Sequence, residues 1–197
     1  MESLRFIIKS IILYTSLAAA FSVLGIFPIF EQFMPKPYLI GSPLEVSRIS
    51  VQHIVGHAVF GLMVGVASTR IRYVAIAAIF PIMLDADHLV QFLNLEAVSH
   101  MAHSILFGVI SVPLMMLLVG KKDYVLGAIC FSAVLAHVSF DILLGGRASF
   151  PLLIPVINRM VSFQGYDWIP FLLGAIAIVG ITRIITKNRT IEHKPQA

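Results

Sequence analysis

Hydrophobic and polar positions along this chain fall in long blocks rather than in a short period. A bilayer core about 30 Å thick needs around 20 apolar residues in a helix. Six apolar stretches reach or approach that length: 10–30, 51–68, 73–84, 104–119, 124–144 and 168–186. The third is short and spans fully only if it continues past Asp85. The elements predicted are therefore all helical: an all-α polytopic membrane bundle of about six transmembrane helices. It forms one domain over 1–197. The first stretch follows basic residues and contains Ala18-Ala19-Ala20, the signature of a cleavable leader. Its apolar run continues ten residues beyond Ala20, which favours an uncleaved anchor.

Composition agrees and narrows the picture. Of 197 residues, 58% are hydrophobic and 12% charged, against roughly 25% charged in a soluble domain. A soluble globular protein and a disordered chain are both excluded on this ground. The lone cysteine, Cys130, lies in an apolar run and reads as a small buried hydrophobe.

The formal charge of +4 at pH 7 invites a nucleic-acid reading. The basic residues, however, sit in short clusters beside apolar runs, with no stripe interleaved by aromatics, so nucleic acid is not an expected partner. Their distribution fixes an orientation instead. With the N-terminus inside, the inner segments hold Arg5, Lys9, Arg70, Arg72, Lys121, Lys122, Arg183, Lys187, Arg189 and Lys194, and the outer ones Lys36, Arg48, Arg147 and Arg159. That asymmetry predicts an N-in, C-in protein. The long outer connections, 31–50 and 145–167, carry Pro35, Pro37 and Pro43 in one and Gly145, Gly146, Pro151 and Pro155 in the other, and are expected to fold over the outer end as caps.

Candidate chemistry gathers at that same end. His53 and His57 stand i,i+4 on the second helix, and their stripe continues through Gly61 and Gly65, where another helix can approach closely. The third stretch ends in Asp85-Ala-Asp87-His88; the fourth begins with His103-Ser104; the fifth carries His137 and Asp141 on one face. In the six-span topology all of these reach the outer level together. Ionisable groups at membrane depth are tolerated when they face partners or a wet cavity, and this set is most economically stabilised around a cation. Imidazole with carboxylate suits zinc first, with iron, manganese or nickel as alternatives, as one ion or two. The candidate metal ligands are His53, His57, Asp85, Asp87, His88, His103, His137 and Asp141.

The plainer readings stand beside these. A single intramembrane histidine more often hydrogen-bonds between helices, and Asp85 or Asp87 can cap the next segment. His100 lies in a connection, where a solvated loop position is the alternative to a ligand. Ser104 reads as a helix-start hydroxyl bonded to backbone, Met115-Met116 as packing, and His193 as part of a polar tail. Arg147 and Arg159 follow Asp141 in the outer connection and suit an anionic group or interfacial snorkelling.

The ordered blocks His53-x3-His57-x3-Gly61, Asp85-x-Asp87-His88, His103-Ser104 and His137-x3-Asp141 followed by Gly145-Gly146 resemble the YdjM-like family. These are bacterial and archaeal membrane proteins described as metal-dependent hydrolases, some of them as LexA-binding and inner-membrane-associated. The resemblance covers about 50–157, the expected metal-site core. Leu84 stands where the family has a proline before its Asp-x-Asp-His block, the nearest here being Pro81, and 98–104 lacks the family's arginine.

Together these features predict a membrane-embedded metal-dependent hydrolase of the cytoplasmic (inner) membrane, with its site facing outside. A lipid or lipid-linked phosphate or ester of the outer leaflet is the most accessible substrate. Asp85 or Asp87, or His103, would serve as general base. The alternative is a non-enzymatic metal-binding membrane protein, a structural scaffold or a metal transporter. Bis-histidine haem fits poorly among Asp85, Asp87 and Asp141.

Overall fold

The computed structural model describes residues 2–27, 36, 38–39, 50–154 and 156–192. The end of the first apolar run, most of the connection 31–50 with Pro35, Pro37, Pro43 and Arg48, and also Pro155, His193 and Lys194 lie outside the described residues.

Six α-helices are present among the described residues: α1 (Glu2–Val23), α2 (Val51–Val66), α3 (Ile71–Leu84), α4 (Ile105–Leu118), α5 (Tyr124–Gly145) and α6 (Trp168–Glu192). Two continue as 3-10 turns. Leu24–Ile26 extends α1, and Asp85–Leu93 carries α3 past its last full turn. Four of the resulting segments are long and apolar enough to cross a membrane: Glu2–Ile26, Ile71–Leu93, Tyr124–Gly145 and Gly165–Arg189. α2 and α4 have 16 and 14 residues, so these two expected spans fall short of the usual length of about 20.

Local chemistry sets the helix ends. Ser50, Ser104 and Asp123 accept hydrogen bonds from the backbone N–H of His53, Phe107 and Leu126 at the starts of α2, α4 and α5. α5 closes on Gly146 in the left-handed region, at φ +64°.

α5 is apolar on all sides and accordingly central, with 89% of its most apolar window buried against 17% for α6. α1 leans on this core through Tyr14, whose hydroxyl donates to the Cys130 carbonyl at 3.0 Å and whose ring stacks on Phe80. Cys130 is itself a buried free thiol. The outward faces carry exposed Ile12, Leu117, Leu173 and Ile184, a surface suited to lipid.

Two small antiparallel pairs close one end. β1 (Tyr38–Leu39) pairs with β2 (Glu96–Ala97), and β3 (Arg147–Phe150) pairs with β4 (Val161–Gln164), Arg147 opposite Gln164. Between β3 and β4 the chain turns inward: Leu152 and Ile154 are buried, and the Leu152 carbonyl accepts from the Ile105 N–H. The connection 145–167 is thus a cap on the bundle. Its strands alternate small, polar and aromatic residues and were not among the expected elements.

Candidate metal centre

The site lies where α2 and α4 begin, α3 ends and α5 nears its C-terminus. α2 reaches it by close approach. A Cβ on Gly61 would run into the Ala77 carbonyl oxygen of α3, and one on Gly56 would occupy the space of the Phe140 ring of α5. Pro81 has no N–H, so the Ala77 carbonyl lacks its usual helical donor at the point where Gly61 passes. Pinned on both sides, α2 turns His53 and His57 inward.

The 3-10 turn after α3 presents Asp85, Asp87 and His88 in four residues, and the Ser22 hydroxyl of α1 donates to the Asp87 carbonyl. Asp87 does not cap a helix. Its Oδ2 accepts from the Ala102 N–H at 3.1 Å and from His103 Nδ1 at 3.0 Å. Ser104 behaves as expected of a helix-start hydroxyl, donating to the Met101 carbonyl.

All eight expected residues come together. His53 Nε2, His57 Nε2 and Asp141 Oδ1 form a triangle with edges of 3.0, 3.3 and 3.2 Å. Ligands held tetrahedrally at zinc–nitrogen distances stand about 3.3 Å apart, so this triangle has the dimensions of one face of such a site. The other Asp141 oxygen, Oδ2, is 3.1 Å from His137 Nε2 and 3.7 Å from His103 Nε2. Asp85 Oδ1 lies 3.5 Å from His137 Nε2 and 3.6 Å from His88 Nε2, and its Oδ2 lies 3.6 Å from His53 Nδ1. Asp141 therefore turns its two oxygens to different pairs of histidines. Four overlapping groups of potential ligands result: Asp87, His88, His100 and His103; His53, His57 and Asp141; His57, Asp85 and His137; and His103, His137 and Asp141.

Burial makes the arrangement demanding. His57 and His137 are wholly enclosed, while Asp85 and Asp141 retain side-chain exposures of 12% and 17%. Buried polar atoms are nearly always partnered. Here His53 Nδ1, His57 Nδ1, Asp85 Oδ1, Asp87 Oδ1, His100 Nδ1, His103 Nε2 and His137 Nε2 all lack a hydrogen-bond partner. A cation among them would satisfy several at once, and the donor set fits one.

His100 is drawn into the cluster rather than left to solvent. Its φ of +58° turns the chain so that its ring packs against His88, His103 and Phe150. Burial, reinforced by His103 and His88, lowers its pKa to about 3, which leaves a neutral imidazole at neutral pH. Phe150, from β3, stacks on His103 with ring centroids 5.4 Å apart, and Gln91 holds His88 Nδ1 at 3.1 Å. No periodicity in the sequence pointed to Phe150 or Gln91. Arg147 and Arg159 are exposed on the cap, and no histidine or aspartate of the cluster comes from α1 or α6.

Fold and site together define an all-α membrane-type bundle with a buried histidine–aspartate cluster able to hold a metal ion. No family model, curated protein or solved structure matches the chain.

Proposed function

We propose that the chain is an integral membrane metal-dependent hydrolase, crossing the inner membrane six times with both termini inside. Its site would face the outer leaflet and act on a lipid or lipid-linked phosphate or ester. The observation that carries this reading is the set of buried imidazole nitrogens left unpaired and aimed at shared carboxylates. The order of its motifs, which resembles that of the YdjM-like family, agrees with it.

Zinc fits the donor set best, and the two faces of Asp141 would allow two ions. His53, His57 and Asp141 Oδ1 would hold one, and His103, His137 and Asp141 Oδ2 the other. The bound metal would polarise a phosphoryl or acyl oxygen and acidify water at neutral pH. The protein's own groups supply orientation and proton transfer. Asp87 fixes the His103 ring, and the Pro81 carbonyl fixes His137. Asp85, the partly exposed carboxylate opposite Asp141, is best placed to take a proton from an incoming nucleophile.

The test is hydrolysis of phospholipids and polyprenyl phosphates by the purified protein, with metal content measured alongside. Activity should vanish on chelation, return with zinc, and be absent in Asp141→Ala. Wild type should bind metal that His57→Ala and His137→Ala lose. Activity surviving both chelation and Asp141→Ala overturns the mechanism.

The near-complete enclosure of His57, His103 and His137 favours one other reading, a closed structural metal site in a scaffold. Azide added to cobalt-substituted protein separates the two: an open coordination position shifts the visible spectrum, and a closed one leaves it unchanged.

A further inference from the structure

The opposite end of the bundle holds a cavity of about 540 Å³ where α3 and α5 begin and α6 nears its end. Five cations line it: Arg70, Arg72, Lys122, Arg183 and Lys187, with Asp123 as the lone carboxylate. Asp123 is already engaged. Its Oδ1 caps α5 through the Leu126 N–H, and its Oδ2 accepts from the Tyr73 hydroxyl at 2.7 Å and lies 3.9 Å from Arg72. Among the described residues, no other cation of the five has a carboxylate within ion-pair distance.

Two of the five cations are held in place by neighbouring side chains. The Arg72 guanidinium lies over the Phe6 and Tyr73 rings and donates to the Tyr73 hydroxyl, while its buried Nε has no partner. Arg183 Nε donates to Thr69 Oγ1 at 3.3 Å. Like charges held together in a concave wall repel one another and raise the local concentration of anions. Ile71 and Ile184, next in the chain to the lining residues Arg70, Arg72 and Arg183, are 84% and 61% exposed. A ligand complementary to both features carries a compact anionic head and hydrocarbon chains.

We infer that this cavity binds the phosphate headgroup of an anionic phospholipid, with the acyl chains lying along the exposed faces beside Ile71 and Ile184. The site is separate from the histidine–aspartate cluster. From Asp123 to His137 is 14 residues of α5, about 21 Å of helix. The inference therefore stands or falls independently of the hydrolase reading.

The test uses the full chain in neutral detergent and follows thermal unfolding. Dioleoyl phosphatidylglycerol, the matching phosphatidylcholine, glycerol phosphate and inorganic phosphate are titrated separately. Phosphatidylglycerol should stabilise at a concentration at least about tenfold lower than phosphatidylcholine, since each basic group near a lipid surface is worth about fivefold in affinity. The chain-free phosphates should have no effect at those concentrations. Arg70→Gln/Lys122→Gln/Lys187→Gln, all three exposed, should narrow the difference between the two lipids by about 100-fold, or abolish it where it is smaller. Lys187→Gln alone should narrow the gap about fivefold, and is read if the triple variant does not fold. Equal stabilisation of wild type by the two lipids overturns the inference, as does a preference that the substitutions leave unchanged. Inorganic phosphate acting as well as phosphatidylglycerol would make this a free-anion site and also overturn it.

Discussion

His137 Nδ1 lies 2.6 Å from the Pro81 carbonyl, and a carbonyl oxygen can only accept, so Nδ1 carries a proton and Nε2 is the nitrogen turned to Asp85 and Asp141. Asp87 does the same for His103 from the other side of the site. Histidines that ligate metals characteristically have their second nitrogen held in this way. Asp87→Asn isolates the effect. The amide oxygen in the place of Oδ2 can still accept from the Ala102 N–H and His103 Nδ1, but without the negative charge, and its NH₂ takes the place of Oδ1 beside His88 Nε2. Metal affinity should fall about 10- to 100-fold, the usual consequence of losing such a partner, while the thermal unfolding of the metal-free protein changes little. Competition with a chromogenic chelator measures it, and unchanged affinity would remove Asp87 from the site's support.

At the scale of elements, the site depends on how closely α2 approaches α3 and α5. Gly61→Val would push a branched side chain into the Ala77 carbonyl, an overpacking of about 1–3 kcal/mol, and would lift His53 and His57 away from Asp141. The variant should unfold at lower temperature and bind less metal. Gly174→Ala, whose Cβ would meet only Leu135 Cδ1 at 3.9 Å, should match or slightly exceed wild-type stability. Much of this layer was legible from sequence. The apolar run over 124–144 is α5 almost to the residue, and the i,i+4 pairs named His53, His57, His137 and Asp141 because helical spacing alone puts them on common faces. The 3-10 course of Asp85–Leu93 was not legible, since a hydrophobic run marks a span without saying how tightly it winds. Nor was the lower start of α1. Glu2, Arg5 and Lys9 break the apolar pattern yet continue the helix, where charged side chains stand in the exposed turns at its end. Phe150 was hidden for a further reason: its partner His103 is 47 positions away, joined to it only by a cap folding back.

The whole molecule has two chemically distinct ends, one basic and one built of histidine and aspartate, and the six-crossing reading sets them on opposite sides of the membrane. Cysteine labelling decides this directly, because Cys130 is buried and silent. Ser149→Cys, exposed on β3, should react with a membrane-impermeant maleimide in intact cells, and Lys121→Cys only after permeabilisation. The reverse pattern would turn the site toward the cytoplasm. Helix lengths measured from the basic end carry a consequence of their own. His53 lies 13 residues from the far end of α2, Asp85 14 residues from the start of α3, and Ser104 14 from the end of α4. Each is about 20 Å of rise, against a hydrocarbon thickness of about 30 Å. With the basic end anchored at one surface, the cluster would stand several ångströms beneath the other. Lipid beside the short helices must then sag to meet them, a local hydrophobic mismatch. Headgroups would descend to Asp85 and Asp141 without leaving their leaflet, and thin, short-chain bilayers would be the ones this protein deforms least.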